Sequence, residues 1–305
     1  MIVRDLARHE LRARLRHGLQ LRTGRFVNRI TSQLALVENA IALLYDQHPL
    51  EEGSYADFHV RVDRPVSLRR WINPQIFFYI DGLAPFNPLP ANQAFPMLEW
   101  GLNWCISANC HRHLILHAAV VERNGRALIL PAPPGSGKST LCAGLIQRGW
   151  RLLSDELAMI DPASCSLTPL PRPVSLKNAS IEVIRSFAPS AVISPVVFET
   201  VKGTVAHLRP PPASVRRANE NAPPGWLVLP QFVAGAPARL EPLSKAHAVA
   251  HLAENAFNFG LHGQRGFELL AAVVEASACF SFSYSSLEEA AEVFARLADG
   301  QAQPG

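Results

Sequence analysis

A glycine-rich segment in the middle of the chain has the residue types that hold a polyphosphate. It reads APPGSGKST over residues 132–140, between an apolar stretch and a helix-forming one. Glycines let backbone N–H groups approach phosphate oxygens, and the helix that follows presents its positive end to them. We expect Lys138 to reach the β- and γ-phosphates and the Ser139 hydroxyl to bind Mg²⁺. The residues predicted to bind nucleotide here are Pro134, Gly135, Ser136, Gly137, Lys138, Ser139 and Thr140.

The first position of this segment departs from the usual phosphate-loop pattern, because Ala132 stands where a glycine is common. Alanine is compatible with the loop if its backbone angles are ordinary. The alternative is a chance glycine-rich turn. The apolar strand before the loop and the helix after it, which has Gly149 as its stop, favour a phosphate loop.

Two adjacent acids form the second candidate element. Residues 150–153 read as a short strand, and Asp155 and Glu156 follow it. One acid could hold Mg²⁺ while the other accepts a proton from an attacking hydroxyl. The alternative is a helix N-cap made by Ser154 or Asp155. The phosphate loop just upstream favours the functional reading, with Ser139, Glu156 and Asp155 as the predicted metal site.

His117 and the lysines supply further candidates. A lone histidine in an apolar strand is more often structural, but a hairpin could return His117 to the phosphates. The basic residues are 25 Arg and four Lys, so a lysine can mark a place that needs a compact charge. Lys177 is therefore predicted to lie near the phosphates and Lys202 is a second candidate, with chance as the alternative for both.

The order of histidine, phosphate loop and paired acids resembles the catalytic domain of HPr kinase/phosphorylase, whose core is similar to phosphoenolpyruvate carboxykinase. Residues 99–105, 117–156 and 171–178 are similar to the bacterial HPr kinase-related kinase A subfamily. The resemblance implies an ATP- and Mg²⁺-dependent kinase with a peptide or small-protein acceptor. It assigns catalytic roles to three residues and metal support to Glu156. The catalytic residues are Asp155 as the base, His117 at the transferring phosphoryl group, and Lys138.

One signature of true HPr kinases, Glu-x-Arg-Gly-x-Gly, is absent downstream of the acids. We therefore do not expect HPr itself as the substrate, or efficient phosphate-dependent dephosphorylation. Whether Glu182 or Glu199 joins the metal site stays open. So does the choice between a kinase for proteins, a small-molecule kinase and a nucleotide-binding module without transfer activity.

Composition limits the other classes. The chain has 305 residues, 48% apolar and 18% charged, which is typical of a globular protein. Its net charge of +4 does not indicate nucleic acid, and no apolar run is long enough for a bilayer, so we expect a cytoplasmic protein with no membrane partner. Eight arginines lie in residues 1–30, on a solvated helix face or as a dock for an acidic partner.

The five cysteines are odd in number and lack CxxC spacing, which indicates reduced thiols. Cys110, His111 and His113 cluster, but their spacing fits a polar helix end better than a metal site. Apolar periodicity predicts helices over residues 1–20, 32–45, 97–112, 139–148 and 287–298. It predicts strands over 57–62, 75–80, 114–122, 127–130 and 279–284, with a further strand opening at Thr23.

The predicted fold class is α/β. We expect a P-loop kinase core of the HPr kinase/phosphoenolpyruvate carboxykinase-like type over residues 96–305. A smaller α+β N-terminal domain should occupy residues 1–95. The oligomeric state stays open, with a homo-oligomer among the alternatives.

Overall fold

The computed structural model describes residues 1–65, 74–133 and 135–301, and these form a mixed α/β structure. The described helices are α1 (Arg8–His17), α2 (Ala35–Leu44), α3 (Ala94–Asn109), α4 (Lys138–Gln147), α5 (Ala179–Phe187), α6 (Pro212–Arg216), α7 (Lys245–Glu254), α8 (Phe259–Glu275) and α9 (Leu287–Ala298). Short 3₁₀ turns lie at Val3–Asp5 and Ala91–Gln93. Across the described ranges, no helix is both long enough and apolar enough to cross a membrane.

The described strands assemble into a five-stranded, an eight-stranded and a three-stranded sheet. The strands of the first are β1 (Leu19–Thr23), β2 (Phe26–Thr31), β3 (Phe58–Asp63), β4 (Gln75–Ile80) and β5 (Leu89–Pro90). Those of the second are β6 (Leu114–Arg123), β7 (Arg126–Pro131), β8 (Arg151–Ser154), β9 (Leu157–Ile160), β10 (Leu167–Thr168), β14 (Pro224–Phe232), β15 (Arg239–Pro242) and β16 (Ala278–Tyr284). Those of the third are β11 (Val174–Lys177), β12 (Val197–Thr200) and β13 (Gly203–Leu208).

The N-terminal sheet corrects one prediction. The helix expected over residues 1–20 ends at His17, and β1 begins at Leu19. Gly18 has φ +112°, which stops the helix, and Leu19, Leu21 and Thr23 are buried on alternate positions as in a strand. The strand expected to open at Thr23 is therefore the second arm of a hairpin, β2, which begins at Phe26.

The relation of α3 to the sheets affects how the site is built. Its buried residues belong to one apolar cluster with α2 and the strands of the N-terminal sheet. The predicted boundary near residue 95 remains a prediction. What is observed is that α3 packs on the N-terminal sheet while its Glu99 and Asn103 contact residues on the C-terminal side of that boundary.

The eight-stranded sheet brings three strand ends together. Strands β7, β14 and β16 are parallel neighbours, and β6 pairs antiparallel with β7 through a hairpin at Asn124-Gly125. The carboxyl ends of parallel strands lie at the same edge of a sheet. Pro131, Phe232 and Tyr284 end these strands, so the phosphate-loop segment emerges at an edge that also carries two aromatic side chains.

The three-stranded sheet turns one face to this same region. Ser175 and His207 are directly opposite each other on β11 and β13. Alternation places Lys177 on the same face as Ser175, while Val174 and Leu176 are buried in the apolar core. This sheet therefore contributes polar side chains beside the paired acids.

The arginine-rich N-terminus is held by carboxylates of the same region. Arg4 pairs with Asp46 at 2.6 Å, and Arg22 pairs with Glu51 at 2.6 Å. Arg12 pairs with the buried Glu38 at 2.7 Å. These contacts favour a structural role for much of this charge.

Candidate active site

The phosphate-loop segment begins where β7 ends and leads into the first turn of α4. Gly135 and Gly137 both have φ +89°, a conformation that favours glycine. Ala132 is buried and keeps a negative φ, so alanine meets the backbone requirement at that position. Pro134 lies outside the described residues. Lys138 is the first residue of α4, and Ser139 and Thr140 follow in its first turn.

Two aromatic residues hold the loop from the neighbouring strands. The Tyr284 hydroxyl donates to the Gly137 carbonyl at 3.0 Å, and the Phe232 N–H donates to the Ser136 carbonyl at 3.0 Å. A Cβ at Gly137 would lie 2.5 Å from the Tyr284 hydroxyl oxygen. Glycine is thus required at 137 both by φ and by space. The Ser136 hydroxyl is buried and has no partner among the described residues.

Lys138 and His117 are in direct contact. The Lys138 Nζ lies 3.0 Å from His117 Nε2, and Lys138 is buried with 6% of its surface exposed. Burial, and then the adjacent ammonium, lower the pKa of His117 to about 4. The neutral imidazole therefore accepts a hydrogen bond from the ammonium. The Phe257 ring packs edge-on against His117, with ring centroids 5.9 Å apart.

Asp155 is buried at the end of β8, behind the loop. Its Oδ2 accepts the Ser175 N–H at 3.1 Å, whereas Oδ1 is buried without a partner among the described residues. Burial, and then the neighbouring Glu156, raise the pKa of Asp155 to about 6. The Lys138 ammonium, the Ser175 N–H and the nearby Ser139 hydroxyl act in the opposite direction. A carboxylate with such a pKa is suited to accept a proton near neutral pH.

Glu156 faces cations on one side and an amide on the other. Its Oε2 accepts from Asn103 Nδ2 at 2.6 Å, and its Oε1 lies 3.9 Å from Lys177 Nζ. Burial would raise its pKa, but Lys202, Lys177 and Lys138 together hold the pKa of Glu156 below its ordinary value. Three of the four lysines of the chain therefore converge on one carboxylate.

These acids do not form the helix cap considered as the alternative. Strand β9 begins at Leu157, and Ser154 Oγ accepts the Leu157 N–H at 3.2 Å within a tight strand-to-strand turn. The turn exposes its two carboxylates to the loop and to the three-stranded sheet. The helix-cap alternative is wrong because the chain continues as a strand.

A small pocket lies beside the acids, with a volume of about 20 Å³, which is room for about one water molecule. Several polar atoms of its lining are buried without a described partner. They are Trp100 Nε1, Asp155 Oδ1, Ser175 Oγ and His207 Nε2. Burial lowers the pKa of His207 to about 3, so this imidazole is neutral.

The residues present fit Mg²⁺ bound together with a nucleotide. The free Asp155 Oδ1 and the adjacent Ser139 hydroxyl are oxygen ligands of the type that Mg²⁺ uses beside phosphates. Among the described residues no group of three or more His, Cys, Asp or Glu could hold a metal.

The two downstream glutamates lie away from the pocket. Glu182 is exposed and pairs with Arg185 at 2.6 Å, and Glu199 is exposed, with its carbonyl accepting from Gln93. Neither lines the pocket beside Asp155.

Several residues of the site are not among those predicted from sequence. Asn103 and Arg172 contact Glu156 directly or through one another, and Tyr284 supports the loop. Lys202, which the scarcity of lysine did indicate, lies with its Nζ 4.8 Å from the Trp100 ring centroid. Asn103 and Arg172 lie in segments that carry the family resemblance, but the sequence assigns no role to them or to Tyr284, because their partners are more than fifty residues away.

Comparison with known proteins adds little support for the fold and function predicted from the sequence. No protein-family model matches the chain, and no curated protein does. A match among solved structures is the HPr(Ser) kinase/phosphatase from Coxiella burnetii, at 12% identity, covering 61% of this chain and 98% of the other, with a TM-score of 0.25. A superposition with this score does not establish a common fold.

Proposed function

We propose that this chain is an ATP-dependent kinase that transfers the γ-phosphoryl group to a hydroxyl, with Ser or Thr of a peptide or small protein as the acceptor. The observation that carries this is the meeting of Lys138, His117 and the Asp155–Glu156 pair at the end of a glycine loop. Each of these residues suits a phosphoryl-transfer role, and their order along the chain resembles that found in a kinase family. The proposed location is the cytoplasm, because it supplies ATP and its reducing conditions suit the five free cysteines.

The phosphate-binding part of the proposal rests on the loop and the first turn of α4. Backbone N–H groups around Gly135 and Gly137 would bind phosphate oxygens, with the helix N-terminus adding positive potential. When ATP binds, the Lys138 ammonium would donate hydrogen bonds to the phosphates. It would either leave His117 or keep that contact as well. Lys177 would add charge from the side of Glu156, since its Nζ is 3.9 Å from Oε1.

The transfer step needs a base for the acceptor hydroxyl. Asp155 is proposed for this, because its Oδ1 is free and its pKa of about 6 lets it be ionised at neutral pH. The proton of the acceptor hydroxyl would pass to Oδ1 as the new O–P bond forms and the β–γ bond breaks. Mg²⁺, held by the Ser139 hydroxyl and Glu156, would neutralise charge on the phosphates, and ADP would leave.

The size of the pocket bears on the acceptor. Beside Asp155 the pocket has room for about one water molecule, so it encloses neither kind of acceptor. Phe257 and Phe232, on either side of the loop, are about half exposed. The peptide acceptor is therefore proposed from the family resemblance, and these half-exposed aromatic side chains are a surface against which a peptide could lie.

A transfer assay with an array of Ser/Thr peptides and a parallel set of hydroxyl metabolites tests the proposal. Labelled ATP, Mg²⁺ and the purified chain are incubated with each, and products are identified by mass spectrometry. Label in peptides that is lost in the Lys138→Ala variant supports the proposal. Label only in metabolites supports the small-molecule alternative, and tight ATP binding with no label in any acceptor supports a binding module.

A further inference from the structure

A continuous line of buried and partly buried hydrogen bonds connects the N-terminal region to Glu156. The Tyr45 hydroxyl donates to Glu99 Oε1 at 2.6 Å, and Arg172 Nη2 donates to Glu99 Oε2 at 2.7 Å. Arg172 Nη1 donates to Asn103 Oδ1 at 2.7 Å, and Asn103 Nδ2 donates to Glu156 Oε2 at 2.6 Å. The Glu99 carboxylate on α3 therefore joins Tyr45, at the end of α2, to Arg172, which lies between β10 and β11.

The direction of each hydrogen bond is fixed by chemistry. A guanidinium has donors only, so Asn103 must present its carbonyl oxygen to Arg172. The amide NH₂ group of Asn103 is then the part that faces Glu156. Arg172 is itself held in place, because it also donates to the Glu99 carbonyl at 2.9 Å and its side chain is 6% exposed.

This arrangement gives the two oxygens of Glu156 different partners. Oε2 is occupied by the Asn103 amide, whereas Oε1 faces Lys177. The other charged or titratable groups that act on this carboxylate are Lys138, Lys202, His117, Asp155, Glu99 and His207. A glutamate has three rotatable bonds, so without the amide its carboxylate could turn toward any of these cations.

We infer that Asn103 is a positioning residue for Glu156, and that the Tyr45–Glu99–Arg172 group fixes Asn103 in the orientation this requires. The role follows from contacts within the chain, but its consequence for metal binding rests on the proposed function of Glu156. Outer hydrogen bonds that orient a metal-supporting carboxylate typically change metal affinity by about 10–100-fold when lost.

The test uses Asn103→Asp, which keeps the shape and the acceptor for Arg172 but turns an oxygen toward Glu156. The matched control is Asn109→Asp, on the same helix, because Asn109 donates only to the Cys105 carbonyl of its own helix. A third variant, Asn103→Asp with Glu156→Gln, exchanges donor and acceptor and restores the hydrogen bond. Thermal unfolding is measured without nucleotide, and Mn²⁺ binding is measured by electron paramagnetic resonance with a non-hydrolysable ATP analogue.

We expect Asn103→Asp to lower the melting temperature by about 4 °C and the exchanged pair to recover at least about half of this loss. We expect Mn²⁺ affinity to fall by about tenfold or more in Asn103→Asp and to stay within about twofold in Asn109→Asp. If Asn103→Asp does not fold, Asn103→Ser replaces it, since it puts no carboxylate against Glu156 and should give the same loss of Mn²⁺ affinity.

Two results overturn the inference and leave the proposed function standing. One is an exchanged pair whose melting temperature stays as low as that of Asn103→Asp, which would mean that residues 103 and 156 are not in contact. The other is unchanged Mn²⁺ affinity in a folded Asn103 variant, which denies the positioning role. Failure of the wild-type chain to bind Mn²⁺ with the nucleotide is a different result, because it overturns the proposed function and the positioning role with it.

Discussion

The Lys138 ammonium nitrogen lies 3.0 Å from Nε2 of His117, on a strand that reaches the loop only through a hairpin. Lys138 is almost fully buried, and without phosphate this imidazole is its hydrogen-bond acceptor among the described residues. A neutral histidine can accept a hydrogen bond from the lysine, but it competes with phosphates for the ammonium less strongly than a carboxylate would. The contact therefore keeps the lysine extended toward the position where phosphates would bind.

Replacing this lysine should weaken nucleotide binding. We expect Lys138→Ala to raise the dissociation constant for Mg²⁺·ATP by about 10–100-fold, because hydrogen bonds between charged groups contribute about 1.5–3 kcal/mol. Lys245→Ala is the matched control, since Lys245 is exposed and pairs with Glu275 at 3.1 Å. Calorimetry should find the control unchanged; equal affinities for all three proteins would contradict the role of Lys138.

The space around Gly137 gives a separate prediction about loop geometry. Gly137→Ala should weaken nucleotide binding and lower stability, because the new Cβ meets the Tyr284 hydroxyl at 2.5 Å. Gly149→Ala has the same φ of +89° but open space, so it isolates the backbone cost of about 1 kcal/mol. Tyr284→Phe should recover part of the loss in Gly137→Ala. Urea unfolding and calorimetry check both; equal losses at the two glycines would show that crowding is unimportant.

The buried pair of Arg172 and Glu99 should matter for stability. Their side chains are 6% and 5% exposed, and Arg172→Met would leave Glu99 charged and buried. Breaking such a pair costs about 3–5 kcal/mol. Arg185→Met, which breaks the exposed pair with Glu182, should cost at most about 1 kcal/mol. Chemical denaturation measures both, and similar small losses would mean that the buried pair is weakly coupled to folding.

Acid should destabilise the fold through buried histidines. Burial lowers the pKa of His48 and His117 to about 4 and of His207 to about 3. The unfolded chain binds these protons near pH 6.5, so their contribution to stability is complete above that pH and is lost as pH falls toward 4. His48→Gln should reduce the slope of unfolding free energy between pH 6.5 and 4 by up to about 1.4 kcal/mol per pH unit. Gln could still donate to the Pro171 carbonyl, and exposed His247→Gln should leave the slope unchanged.

Local sequence signals predicted several of the elements around the candidate site. Glycines, an apolar strand and a helix stop predicted the loop around Lys138, and period-two alternation predicted β3. Strand β4 has the predicted bounds and α9 agrees to the residue, because both are long, regular and bounded by turn residues. The helix expected over residues 1–20 was too long, since its arginine and leucine spacing does not distinguish the strand that follows Gly18.

Pairings across long separations could not be predicted in the same way. Asn103 and Glu156 are 53 residues apart, and Tyr284 and Gly137 are 147 apart. Such contacts depend on sheet order, which a single sequence does not encode locally. The scarcity of lysine did indicate Lys177 and Lys202, which both act on Glu156, whereas their place near the phosphates stays a prediction.

The last prediction separates metal binding from proton transfer at the paired acids. Asp155→Asn keeps the size of the side chain but cannot accept a proton. General-base catalysis typically contributes about 10²–10⁴ in rate, so transfer to the acceptor should fall by at least about a hundredfold while Mg²⁺·ATP affinity stays within about tenfold. Asp299→Asn, at the exposed end of α9, is the control.

Glu156→Gln should behave differently, because its proposed role is metal support. We expect a higher Mg²⁺ concentration for half-maximal transfer, with a smaller fall in rate at saturating Mg²⁺ than in Asp155→Asn. The free Asp155 Oδ1 next to the Ser139 hydroxyl makes the reverse assignment a definite alternative. Loss of metal–nucleotide affinity in Asp155→Asn with a normal rate at saturation would show that Asp155 holds the metal and that Glu156, beside its three lysines, acts on the acceptor. Normal kinetics in both variants would remove the acids from the reaction and the kinase proposal with them.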